Sequence, residues 1–227
     1  MSDKLASGAS PLAQDVYSLL KDRLDRGQLQ PGMFLDLAAL AREQKMSKTP
    51  LRDAVIRLEA EGFVSVYPRR GVMVKELSLR DIRELYEVIG GLEAQAAILA
   101  RERFVREHAD EMDELDRAMR AALKADDFEA YYRANLAFHT VYIRLADNND
   151  LSAAIKLRKE RLYDFPRRAG YVRDWELASV KEHRQIAKFF RAGDYEAAAS
   201  YIRDVHWSFT VQERFIKAYY MAARVAP

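Results

Sequence analysis

Residues 78–227 contain two prolines, Pro166 and Pro227, and four glycines, Gly90, Gly91, Gly170 and Gly193. Both residue types end or kink helices, so a stretch with so few has few places to turn. The 77 residues before it hold four prolines and five glycines. The chain therefore reads as two parts. Residues 1–77 build short elements joined by turns, and residues 78–227 build long helices with short connections.

In the first part, Leu12, Val16, Leu19, Leu20 and Leu24 recur at helical spacing and form an apolar stripe. Gly27 and the pair Pro31-Gly32 end that helix and turn the chain. Asp36 is placed to cap a short helix through Leu37, Leu40 and Ala41. After a break at 44–46, Thr49 as N-cap with Pro50 at the first helical position starts a third helix. It buries Leu51, Val55 and Leu58 and stops at Gly62. Residues 63–67 and 71–75 read as two strands joined through Pro68, Arg69 and Arg70. Helix, helix, helix, hairpin is the order of a winged helix-turn-helix. The second part predicts six helices, near 79–104, 107–125, 128–146, 151–165, 174–191 and 195–222. The expected fold class is mainly α, a winged helix-turn-helix followed by an antiparallel helical bundle.

Composition narrows the chemistry. The chain has no cysteine, which excludes disulfides, thiolate metal sites and a cysteine nucleophile. It also fits a reducing compartment. No apolar run of about 18 residues exists, so no membrane partner is expected. The first ten residues lack the apolar core of a secretory signal, and a cytoplasmic location is expected. A net charge of +2 is too small for a broad electrostatic field, so any nucleic-acid affinity must rest on a few placed cations.

Lys48, Thr49 and Arg52 share one side of the third helix, opposite Leu51, Val55 and Leu58. They stand beside a helix N-terminus, whose unpaired N–H groups and partial positive charge suit a phosphate backbone. Arg52 can reach base edges in a major groove. Arg69 and Arg70 are at the hairpin tip. Residue types alone leave a solvated basic face as an equal reading. The order of residues adds more. The segment GQLQPGMFLDLAALAREQKMSKTPLRDAVIRLEAEGFVSVYPRRGVMV, residues 27–74, resembles the DNA-binding domain of GntR-family transcription regulators. The resemblance implies DNA contacts from Ser47, Lys48, Thr49 and Arg52, with Arg69, Arg70 and Gly71 at the wing. Two residues depart from the family pattern. Lys48 stands where arginine is usual and lacks its bidentate fork. Lys45 stands where a turn glycine is usual.

Of the four histidines, His108 lies in a charged stretch and reads as a surface residue. His139, His183 and His206 fall on three separate predicted helices, among apolar neighbours. Asn135 precedes His139 by one helical turn. Taken singly, each reads as a core imidazole. Taken together they also fit metal ligands on facing helices. A metal-dependent hydrolase with a three-histidine site is the alternative function, but no HExxH motif is present, and Glu182 and Asp204 read equally well as surface charge. The basic cluster Arg158, Lys159, Arg161, Arg167, Arg168 and Arg173 reads mainly as solvated surface, with Arg161 facing inward.

Residues 78–222 resemble the FCD ligand-binding domain of the FadR-type subgroup, through LRDIRELYEVIGGLEAQAAILA, NLAFH and EHRQIAKFFRAGDYEAA. That resemblance implies a divalent metal, zinc or nickel, held by Asn135, His139, His183 and His206. It further implies a small-molecule effector, often a carboxylate, at or beside the ion, with Arg161 in the effector pocket. Asn135 replaces the usual aspartate, and Ile89 replaces a common arginine. The implied protein is a homodimeric regulator that binds double-stranded operator DNA and acts as a repressor, and it is not an enzyme.

Overall fold

The computed structural model describes residues 10–163 and 172–222, with side chains at 10–162 and 172–218. Arg167 and Arg168 lie outside the described residues. The described chain divides into two compact units, residues 10–78 with Tyr163, and residues 79–162 with 172–222.

The first unit begins with α1 (Pro11–Asp25), capped by Ser10 and opened by proline at its first position. Its buried face is Ala13, Val16, Leu20 and Leu24, while Leu12 of the expected stripe is exposed. Strand β1 (Phe34–Leu35) leads into α2 (Leu37–Glu43), where the Asp36 carboxylate accepts from the Ala39 amide at 2.8 Å. Helix α3 (Lys48–Ala60) starts two residues earlier than expected, with Ser47 as its N-cap. Pro50 fits inside the first turn because amides there have no helical partner to lose. Leu51, Val55 and Leu58 form the buried face of α3. Strands β2 (Val64–Tyr67) and β3 (Gly71–Val74) pair antiparallel, and β1 adds to β3, giving the order β1-β3-β2. Two residues are too few for a periodicity signal, so β1 was not expected.

Between α2 and α3, Lys45 has φ 50°, in the left-handed region where glycine is usual. A non-glycine residue there costs about 1 kcal/mol. Lys45→Gly is expected to raise stability by about 0.5–1 kcal/mol, read as a higher urea midpoint at unchanged slope. A lower midpoint would show that Lys45 stabilises the turn in another way.

In the second unit, α4 (Leu79–Ala100) presents an apolar stripe through Ile82, Tyr86, Ile89, Ala96 and Ala97. It is followed by α5 (Arg106–Lys124), α6 (Phe128–Leu145), α7 (Asn149–Tyr163) and α8 (Arg173–Ala192). Gly193, at φ 71°, ends α8 in the left-handed conformation, and Asp194 caps the next helix. The expected helix 195–222 is broken. It runs as α9 (Tyr195–Tyr201), a π-turn (Ile202–His206) and α10 (Phe209–Ala222). His108 is half-buried, and its Nδ1 accepts from the Val105 amide, so it caps α5. No described helix is long and apolar enough to cross a membrane.

Candidate functional site

In the first unit Ser47, Lys48, Thr49 and Arg52 are all exposed at the N-terminal end of α3. The Ser47 hydroxyl makes no capping bond, although Ser47 occupies the cap position. The Arg52 side chain stays 75% exposed, with its nearest carboxylate, Asp53, at 3.9 Å. Arg69, Arg70 and Gly71 form the exposed tip of the wing, where Arg69 has φ 63° and Gly71 φ 111°. Hydrogen-bond donors on one helix end and cations on a neighbouring loop suit the phosphates and grooves of a duplex.

In the second unit His139 on α6, His183 on α8 and His206 on the π-turn meet in the buried interior. One nitrogen from each ring lies within 4.8 Å of the other two. The Nε2 atoms of His139 and His183 are 3.2 Å apart. Two nitrogens each about 2.0–2.1 Å from one zinc ion in a tetrahedral arrangement stand roughly 3.3 Å apart.

The surroundings orient two of these rings. His139 Nδ1 lies 2.8 Å from Glu93 Oε2. A carboxylate only accepts, so it fixes the proton on Nδ1 and leaves the Nε2 lone pair facing His183. His206 Nδ1 lies 2.8 Å from Glu182 Oε2, which orients that ring in the same way. His183 Nδ1 has no partner among the described residues. Burial, helped by the Lys159 charge and opposed by Glu93, brings the His139 pKa down to about 4. Burial and the neighbouring imidazoles hold His183 well below the ordinary histidine range. Two neutral rings with free lone pairs are the form a metal requires. The donor set therefore fits a borderline divalent ion such as zinc or nickel.

Asn135 sits one turn before His139 on the same buried face, and its Oδ1 has no partner among the described residues. An acceptor left bare in a dry interior costs about 1–3 kcal/mol unless something meets it. Tyr131, one further turn back, has a buried hydroxyl that faces Glu176.

Glu93 was missed in the sequence. It is fully buried on α4 and accepts from Lys159 Nζ at 2.8 Å, Trp207 Nε1 at 2.8 Å and the Tyr142 hydroxyl at 2.5 Å. Burial alone would push its pKa up, but the charges of His139 and Lys159 and their hydrogen bonds hold it well below the ordinary value. Its signal was present: it falls four residues after Ile89, a carboxylate on an otherwise apolar stripe. Lys159 corrects a second expectation, since it is buried beside Glu93 rather than solvated. Glu182 corrects a third. It is only 12% exposed and joins His206 to Gln212, which a surface charge would not do. Asp204 remains on the surface, paired with Arg203. Arg161 is half-buried, and its Nε is buried with no partner among the described residues. Arg173 is exposed and pairs with Asp126.

Residues 84–205 match the FCD domain, and residues 12–74 match the bacterial regulatory proteins of the gntR family. The transcriptional regulator YdhC of Bacillus subtilis is 24% identical over 209 residues, which is 89% of this chain and 91% of YdhC. A probable D-xylose utilization operon transcriptional repressor of Paenarthrobacter nicotinovorans is 27% identical over 188 residues, 82% of each chain. The solved structure of E. coli McbR/YncC superposes with a TM-score of 0.64 at 23% identity, covering 94% of this chain and 99% of that one.

Proposed function

Because the chain belongs to the gntR family of bacterial regulatory proteins and carries an FCD domain, it is a DNA-binding transcription regulator rather than an enzyme, and we propose that it is a homodimeric repressor controlled by a metal-bound effector. Residues 1–77 form the DNA-reading domain in this proposal, and residues 78–227 form the effector-binding and dimerising domain. Ser47, Lys48, Thr49 and Arg52 enter the major groove, and Arg69, Arg70 and Gly71 take the neighbouring backbone or groove. Two-fold symmetry of the dimer sets the spacing of two half-sites.

The convergence of three buried imidazoles, two of them oriented by carboxylates, carries the metal half of the proposal. His139, His183 and His206 hold the ion and the Asn135 amide oxygen completes the set. The ion supplies Lewis-acid attraction for an anionic group of the effector. All four protein donors would be neutral, while Glu93 and Glu182 bond to the far nitrogens of two rings and Lys159 pairs with Glu93. Arg161, whose buried Nε–H has no hydrogen-bond partner among the described residues, offers a second cationic contact. Release from DNA follows if the effector binds one arrangement of the dimer more tightly than the other.

The test is elemental analysis of chelator-free protein, with a thermal-shift screen of small carboxylates in the presence and absence of zinc and nickel. About one ion per chain, and a hit that changes operator affinity, are expected. Finding no ion, and no shift with either metal, would leave the three histidines as a hydrogen-bonded core.

A further inference from the structure

His206 and Trp207 are neighbours in the chain, yet both are buried, and so is Ile202. In an α-helix, at about 100° per residue, Trp207 would lie about 140° round from Ile202 and face away. The segment is instead a π-turn, in which the Trp207 amide donates to the Ile202 carbonyl at 2.8 Å. Such a turn takes about one residue more to close, so His206 and Trp207 straddle the direction of Ile202 and both point inward. The His206 ring lies 4.8 Å from His183 and 5.1 Å from His139, and the indole of Trp207 lies 5.9 Å from His139.

The widened turn packs on α4 and comes close to its backbone at Gly90. A Cβ added at Gly90 would stand 3.0 Å from Trp207 Cβ and 3.5 Å from the Cα and carbonyl oxygen of Arg203. At Gly91, one residue along, nothing lies within 4 Å. Glycine weakens a helix interior relative to alanine. At position 90 a side chain would force Trp207 to give by a few tenths of an ångström, and at position 91 it would meet nothing within 4 Å. Trp207 then fastens the turn to α4 by donating its indole N–H to Glu93, the same carboxylate oxygen that holds His139.

We propose that Gly90 and Trp207 form a positioning contact: the missing side chain at 90 lets the π-turn seat on α4, and the indole bond to Glu93 holds His206 in register with His139 and His183. The contact concerns the ion site proposed above and rests on that reading. Neither residue touches the ion. They act through the placement of His206 and of Glu93.

Zinc affinity is measured for the full chain by competition with a chromophoric chelator, in wild type, Gly90→Ala, Gly91→Ala and Trp207→Phe. In parallel, the protein is labelled with 5-fluorotryptophan for fluorine NMR, where Trp207→Phe assigns one of the chain's two tryptophan signals. Gly91→Ala is expected to match wild type. Gly90→Ala is expected to weaken zinc about 10- to 100-fold, the range for lost support behind a metal ligand. It should also move the Trp207 signal and leave the Trp175 signal in place. Trp207→Phe keeps an aromatic ring but loses the N–H and one ring of the indole, and is expected to weaken zinc about 10-fold. Wild-type zinc affinity in both Gly90→Ala and Trp207→Phe overturns the proposal. If Gly90→Ala does not fold, Trp207→Phe decides by the same reading. If wild type takes no zinc, the metal reading fails, and the fluorine spectrum alone judges the contact. A displaced Trp207 signal in Gly90→Ala then supports it, and an unmoved signal overturns it.

Discussion

His139→Ala is expected to yield a folded protein that no longer retains a tightly bound ion. Loss of support behind a ligand already lowers metal affinity about 10- to 100-fold, so loss of the ligand itself should exceed about 100-fold. The effect is large because His139 is the best prepared of the three rings. Its proton is fixed on Nδ1 by Glu93, its Nε2 faces His183, and burial keeps it neutral. Zinc at about a hundred times its dissociation constant should stabilise wild type by about 2.7 kcal/mol and the variant by almost nothing. Metal content by elemental analysis and the zinc-dependent melting shift are the two readouts. An ion retained at wild-type affinity would remove His139 from the site. Asn135→Asp is the companion. A carboxylate in place of the amide adds a charged donor, and tightening by about tenfold is expected, since ligand charge is a main lever on affinity. Unchanged or weaker binding in Asn135→Asp would place residue 135 outside the ligand set.

Arg52→Ala is expected to abolish specific operator binding and leave the fold unchanged. A bidentate arginine–guanine contact is worth about 1–3 kcal/mol of discrimination. The proposed homodimer reads two half-sites, so the loss doubles to about 2–6 kcal/mol, or roughly 30-fold to 10⁴-fold in affinity. Truncation should barely touch stability, because the side chain is exposed and its closest carboxylate stands at 3.9 Å. The operator is first recovered from a random duplex library with wild-type protein. Gel-shift titration of both proteins then reads the specific and non-specific affinities. A uniform loss on all sequences, with a shallower salt dependence, would mark Arg52 as a phosphate contact instead. Unchanged operator affinity would remove it from the interface.

The winged helix-turn-helix was legible because its signals are local. Asp36 announces its cap by position, Pro31-Gly32 its turn, and Leu51, Val55 and Leu58 their face by spacing. Errors came where local rules compete. Thr49-Pro50 looks like a helix start, yet the helix reaches back to Ser47 because a proline is tolerated anywhere in the first turn. In the second unit the histidines could be singled out, but the residues that hold them could not. Glu93 is 46 positions from His139 and 66 from Lys159, and no spacing rule links partners so far apart. Lys159 sat in a run of cations and read as surface, because only its packed neighbours give it a buried carboxylate to meet.

Two texts of different grain are written along this chain, and each determined what short-range chemistry can determine. Capping, turn and periodicity signals act over a few residues, so the sequence by itself set the helix order, the hairpin and the exposed face that carries Ser47, Lys48, Thr49 and Arg52. It also left three histidines in a cysteine-free chain as the residues best suited to hold a transition metal. Only the tertiary structure decided that these three rings meet, that Glu93 and Glu182 stand behind two of them, and that helix 195–222 opens into a π-turn against Gly90. Those outcomes depend on close packing between helices far apart in sequence. Packing is a property of surfaces, and a sequence shows surfaces only after it has folded.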